Sequence, residues 1–135
     1  MRVSLTQTQT QRLEELRAVR YPDPVEQEYD AFMLFGGMGP CVYVRRAGTF
    51  LVGADETWNV PETREATPEE ATMSLVIAAR RFEMPSLLSL LPQRPENAAE
   101  CAQCHGQRWD LSWPALVCEQ CHGRGWFSSQ ETLAK

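Results

Sequence analysis

Two short runs near the end of this 135-residue chain repeat one another, Cys101-Ala-Gln-Cys104-His105-Gly106 and Cys118-Glu-Gln-Cys121-His122-Gly123, at an offset of 17 residues. Two residues between paired cysteines is the length of a tight turn that points both sulfurs at one centre. The 13 residues from 105 to 117 are enough for the second turn to fold back over the first. Four thiolates so placed close a tetrahedron around Zn²⁺, a borderline-soft ion that imposes no geometry of its own. The expectation is a closed four-cysteine site in which Cys101, Cys104, Cys118 and Cys121 hold one structural Zn²⁺. Metal binding worth on the order of 10 kcal/mol would substitute for the apolar interior that so short a segment cannot build. Trp109, Trp113 and Trp126 are expected to pack over the metal turns. Gly106 and Gly123 are expected to take the positive φ that bends backbone N–H groups back toward sulfur.

Each run also reads Cys-x-x-Cys-His, the pattern of covalent c-type haem attachment. The supply of axial ligands argues against haem. His105 and His122 are the only histidines, and Met1, Met33, Met38, Met73 and Met84 all lie upstream of the runs. Two haems would also demand more apolar cover than the segment has. Thiol redox chemistry, or zinc release as an oxidative switch, is a further alternative for the same pairs. It lacks the strand-then-helix setting of a thioredoxin-like site. With four cysteines available, His105 and His122 read as exposed, or as supporting the ligands without touching the ion. Cys41, the fifth cysteine, reads as a small buried hydrophobe in a strand. The glycine-rich Phe35–Pro40 run lacks the Lys and Ser/Thr of a phosphate-cradling loop. The acidic stretch from Asp55 to Glu70 contains no histidine, and neither histidine lies outside the repeats to build a Ser/His/Asp arrangement. No catalytic residue is expected, and the chain reads as a binding protein rather than an enzyme.

The formal charge is −5, and four thiolates with one divalent ion would take it to −7. That balance is unfavourable for gripping a phosphate backbone, and in the cysteine-rich end Arg108 and Arg124 are offset by Asp110 and Glu119. A nucleic-acid-binding zinc module is therefore the less favoured alternative. An arginine stripe joining Arg45-Arg46 with Arg80-Arg81 would reopen it. Hydrophobic content of 43% and charged content of 23% suit a soluble globular protein. No apolar run is long enough to span a bilayer, and the first dozen residues lack the apolar core of a secretory signal. The expected compartment is the cytoplasm, where reduced thiols favour metal over disulfide.

The elements that must position the cysteines are legible as periodicity and punctuation. Residues 5–19 form a helix pattern with Leu5, Leu13, Leu16 and Val19 as a thin apolar stripe, stopped by Tyr21-Pro22-Asp23-Pro24. Asp23, Pro24 and Glu26 then open a second helix carrying Val25, Tyr29, Phe32 and Phe35 on one face, ended by Gly36-Gly37. Cys41–Arg45 and Thr49–Val52 are β-prone runs around Arg46-Ala47-Gly48 and predict a hairpin. Residues 54–66 read as an exposed connection anchored by Trp58. Thr67-Pro68-Glu69-Glu70 starts a further helix, to about Phe82, lined by Ala71, Leu75, Ala78, Ala79 and Phe82. A leucine-rich turn follows from Pro85 to Leu91. Pro92-Gln-Arg-Pro95 marks a boundary, dividing a domain of residues 1–95 from a metal module of 98–127 and a polar tail of 128–135. The fold class is α+β: a helix-rich N-terminal domain with a small antiparallel hairpin, followed by the four-cysteine module.

The second half-site, Cys118-x-x-Cys121-x-Gly123-x-Gly125-Trp126, resembles the Cys-x-x-Cys-x-Gly-x-Gly repeat of the DnaJ-type cysteine-rich zinc module. The first departs from it at Arg108, which stands where the final glycine belongs, while Gly106 is kept. Four such repeats bind two zinc ions in that family, so two repeats imply one ion here. The resemblance covers the metal-binding repeats alone, and no J-domain signature precedes them. The order helix, Tyr21-Pro22, helix with Tyr29 and Phe32, Gly36-Gly37 and hairpin is similar to the opening of the SUKH-type immunity fold, whose members bind toxin domains. Together these readings imply a zinc-held module acting through an unidentified protein partner.

Overall fold

In the computed structural model, which describes residues 1–20, 31–35, 41–53, 64–112 and 116–127, two helices start on the same device. The Thr6 hydroxyl accepts the Gln9 N–H at 3.1 Å while Gln9 Oε1 accepts the Thr6 N–H at 2.9 Å, opening α1 (Gln7–Arg20). Thr67 and Glu70 make the same exchange at 3.2 and 2.9 Å and open α2 (Pro68–Arg81), with Pro68 at the first helical position. The reciprocal cap lets α1 bury a polar side chain. Gln9, Leu13 and Arg17 are all buried at four-residue spacing. Gln9 is satisfied by the cap. Arg17 Nη1 donates to Ala31 O at 3.3 Å, with its guanidinium 4.8 Å from the Phe32 ring centroid.

The hairpin expected around Gly48 is present and belongs to a larger sheet. Four strands, β1 (Ala31–Phe35), β2 (Cys41–Arg45), β3 (Phe50–Gly53) and β4 (Arg64–Glu65), pair antiparallel in chain order. The helix expected to carry Phe32 and Phe35 is corrected by this arrangement, because residues 31–35 are strand. Ala-Phe-Met-Leu-Phe is five apolar residues without a polar position, which suits a strand covered on both faces better than a one-sided helix. The alternation is explicit in the register. Phe32, Val44 and Phe50 form one cross-strand row; Met33, Tyr43 and Leu51 form a row on the opposite face. Phe32, Leu34, Val44 and Phe50 are each at most 1% exposed, so this is where the sheet's core is densest. Cys41 is buried beside Ala31 and Tyr43, as a small apolar residue would be. The expected cap at Asp23, the Gly36-Gly37 stop and Trp58 lie outside the described residues.

Gly48 shows why the β2–β3 turn needs glycine. Its φ is +95°, and Val3 N–H donates to its carbonyl at 2.9 Å as the N-terminal segment crosses the turn. A Cβ there would lie 1.8 Å from Val3 O. Arg2 and Thr49 pair as a single β-bridge at the same crossing.

The chain divides into two compact units, Met1–Ser74 and Leu75–Lys135. In the second, α2 contributes Leu75, Val76, Ala78 and Ala79, all buried. A 3₁₀ turn at Pro85–Leu90 follows, as the leucine-rich run suggests, and buries Leu87. The Pro92–Pro95 stretch lies inside this unit as coil. Beyond it β5 (Ala99–Glu100) pairs antiparallel with β6 (Trp126–Phe127) and brackets the cysteine segment. The described residues therefore form an α+β protein with two small antiparallel sheets and a cysteine cluster in the second unit. Among them no helix is long and apolar enough to cross a membrane.

Candidate metal centre

The 17-residue repeat in the sequence becomes a two-fold repeat in space. Glu100 pairs with Trp126, and Val117, which is Glu100 shifted by one repeat, bridges to Trp109. The Cys101 N–H donates to Gly125 O at 2.9 Å, and the Cys118 N–H donates to Arg108 O at 3.0 Å. Each half-site also closes its own turn, with Gln107 N–H on Cys104 O and Arg124 N–H on Cys121 O, both at 3.0 Å. The backbone repeats as well: φ is +53° and +54° at His105 and His122, +75° and +84° at Gly106 and Gly123, +76° and +88° at Arg108 and Gly125. Two tight turns thus interlock through their first cysteines.

This interlock brings the four sulfurs together. Cys101, Cys104, Cys118 and Cys121 are at most 4% exposed, and their ligand atoms all lie within 4.8 Å of one another. Across the half-sites Cys101 Sγ is 3.8 Å from Cys118 Sγ, and Cys104 Sγ is 3.7 Å from Cys121 Sγ. A disulfide would require about 2.05 Å. Sulfurs at the corners of a tetrahedron about 2.3 Å from a central ion would stand about 3.8 Å apart, so the cluster has the dimensions of a four-thiolate metal cage. These four buried cysteines could hold a metal ion, as their spacing implies.

Electrostatics around the sulfurs fit the same use. The amides of Cys104 and Gln103 donate to Cys101, that of Arg108 to Cys104, and those of Gly125 and Gly123 to Cys121. The Gly125 bond is 3.2 Å long. Burial pushes the Cys104 thiol up and the Cys121 thiol up to about 12. At Cys101 burial acts in the same sense and is the largest single influence, but hydrogen bonds from the Cys104 and Gln103 amides and the Cys104 and Cys118 side chains together hold that thiol below its usual range. A divalent cation among the sulfurs would reverse the balance, because it favours the thiolate at every ligand.

The module's interior is the sulfur cluster itself, with Phe127 packed against it. Trp126 is buried as expected. Trp109 is half-buried, with the Arg80 guanidinium 4.3 Å from its ring centroid. Trp113 lies outside the described residues. Neither histidine is needed to complete the cage, and both are exposed.

Two features are not legible in the sequence as parts of the site. The first is the seat on α2: a Cβ on Gly123 would meet Val76 Cγ2 at 3.2 Å and Val117 Cγ1 at 3.0 Å, so the second turn lies directly on the helix. Val76 carries no signal beyond its place on an apolar helix. The second is Arg108, which donates from Nη1 to Gly123 O at 3.0 Å and to Arg124 O at 2.9 Å. Its signal is its occupation of a glycine position in the repeat. Comparison of the chain with protein-family models, with curated proteins and with solved structures finds no match.

Proposed function

We propose that the four cysteines hold one structural Zn²⁺ and that the protein is a non-catalytic binding protein acting on another protein, as an adaptor or immunity-like module. The observation that carries the zinc reading is the cluster of four buried sulfurs with cross-pair separations of 3.7 and 3.8 Å. All four corners are protein sulfurs, so no coordination position is left open for substrate or water, which distinguishes a structural from a catalytic zinc site. The DnaJ-type repeat supports the same ion. It comes from a zinc-binding family, and its glycine pattern coincides with the positive φ values at Gly106, Gly123 and Gly125.

Protein is favoured over nucleic acid as the partner by the net charge of −5. Two of the four arginines that could have formed a basic stripe are otherwise engaged: Arg46 pairs with Glu14, and Arg80 lies over Trp109. Burial of the sulfurs also weighs against redox cycling, which needs an accessible thiolate. A cytoplasmic location follows from the same chemistry, since reduced thiols are what a metal requires.

Elemental analysis of the purified chain tests the zinc claim. One zinc per chain and a colourless solution are expected; a Soret band, or an iron–thiolate spectrum with stoichiometric iron, would replace it. Retention of zinc at low peroxide doses is expected of a structural site, and ready release would favour the redox alternative. Co-purification from native extract tests the binding role, and a chain that repeatedly elutes alone would remove its support.

A further inference from the structure

We propose that Arg108 is the positioning residue that locks the metal centre, bracing the two half-sites against each other and setting how slowly the ion leaves. The proposal rests on the reading of the centre as a zinc site. Arg108 stands where the second half-site has Gly125, and both adopt the left-handed conformation, with φ of +76° and +88°. That conformation is disfavoured for a residue with a Cβ, so the surrounding structure must hold Arg108 in it. Its own guanidinium does so. Nη1 donates to Gly123 O at 3.0 Å and to Arg124 O at 2.9 Å, and these are charge-assisted bonds from a planar guanidinium.

The two carbonyls belong to the turn that follows Cys121. The next residue, Gly125, donates its N–H to Cys121 Sγ at 3.2 Å and accepts the Cys101 N–H at 2.9 Å. Arg108 also accepts the Cys118 N–H through its own carbonyl at 3.0 Å. One residue therefore restrains backbone that adjoins Cys101, Cys118 and Cys121. An ion in a four-thiolate cage leaves by successive loss of sulfurs, and each loss is slower where the backbone behind the sulfur is held in place.

The clamp is one-sided for a steric reason. A Cβ on Gly125 would come within 3.0 Å of Gly106 O, so the second half-site has little room for a side chain at the matching place. The departure from the glycine pattern occurs at the half-site where a side chain is accommodated, and that side chain spans to the other.

The test uses the full chain, with zinc content measured first and release then followed by absorbance in excess 4-(2-pyridylazo)resorcinol. The variants are R108G and R108K. R108G restores the repeat's glycine and relieves the backbone, so it is expected to fold. Loss of the charge-assisted bonds, partly offset by that relief, predicts release about tenfold faster. R108K, which keeps the charge without the planar guanidinium, is expected to fall between. In R108G, hydrogen exchange should rise at the Cys101 and Gly125 amides and stay unchanged in β2 and β3. Release from R108G within about twofold of the natural chain would overturn the proposal, as would equal acceleration of exchange in the sheet. A natural chain without stoichiometric zinc would overturn the zinc reading and the clamp together. The metal measurement made before chelator is added tells that failure from the others.

Discussion

The two units of this protein solve the problem of an interior with different materials. In Met1–Ser74 the interior is hydrocarbon: Phe32, Val44 and Phe50 stand in one cross-strand row, with Leu13 and Leu34 also buried. In Leu75–Lys135 the cysteine segment has an interior of four sulfurs with Phe127 against them. Removing apolar area from water yields about 25 cal/mol per Å², so hydrocarbon serves where enough of it can be gathered. Among its described residues the segment 98–127 gathers little, and a metal bond replaces area with coordination. The sheet is therefore vulnerable to lost volume and the cysteine segment to lost ligands.

Substitutions aimed at one interior should leave the other intact, and the largest effect is expected at the sulfurs. Cys118→Ser removes one corner of the cage and should cost most of the metal's contribution, which is on the order of 10 kcal/mol. Zinc content should fall below stoichiometry and amide protection should vanish across 98–127, while β1, β2 and β3 stay protected in hydrogen exchange. Simultaneous loss of protection in the sheet would show that the two interiors are not independent.

The converse substitution is Phe50→Ala, at a position 1% exposed in the sheet. It should lower stability by about 3–5 kcal/mol in denaturant melts and leave zinc content at one per chain. Gly48→Ala should follow at about 2 kcal/mol, because it places a Cβ against Val3 O at a φ of +95°. Its signature is faster exchange of the Val3 amide. On the sulfur side, Val76→Ala removes a buried methyl-bearing surface beneath the second turn and should cost about 1–2 kcal/mol, read as earlier thermal loss of zinc.

The smallest expected effect is electrostatic. Arg64 Nη2 lies 2.8 Å from Glu70 Oε2. Donation from Arg64, then from the Thr67 amide, holds the Glu70 carboxyl at about 2 in place of 4.5. A carboxyl depressed by folding favours the folded state while ionised. Its contribution is complete above about pH 4.5 and disappears as pH falls through about 2. The pair is partly solvent-exposed, so Glu70→Gln should cost only about 1 kcal/mol at pH 7, and the difference from the natural chain should close in melts at about pH 2.

Local chemistry is the most legible part of the chain. The Thr67–Glu70 cap can be read from four residues because a cap is made between neighbours. The hairpin is readable from two β-prone runs and a glycine, and the cage from Cys-x-x-Cys spacing. Residues 31–35 read wrongly as helix because Phe32 and Phe35 continue the helical spacing of Val25 and Tyr29, while the unbroken apolar run itself has no period to contradict it. Pairing with Cys41–Arg45 shows that the run is a strand, and the burial of Ala31 on one face with Phe32 and Leu34 on the other shows why no polar position is needed. The burial of Gln9 and Arg17 is hidden for a related reason, since polarity argues for exposure until a cap is seen to engage Gln9 and the Ala31 carbonyl and Phe32 ring to engage Arg17.

Residue types and spacing alone specify which atoms can meet a metal and how each half-site must turn, because ligand chemistry and two-residue spacing act over a few bonds. The interlock of the two turns across a two-fold, with Cys101 bonded to Gly125 and Cys118 to Arg108, exists only once the chain has folded. So do the seat of one turn on the helix at Val76 and the reach of Arg108 to the other turn. Those contacts join residues from 10 positions apart (118 − 108) to 47 positions apart (123 − 76), and no local propensity specifies which distant backbone a side chain or an amide will reach.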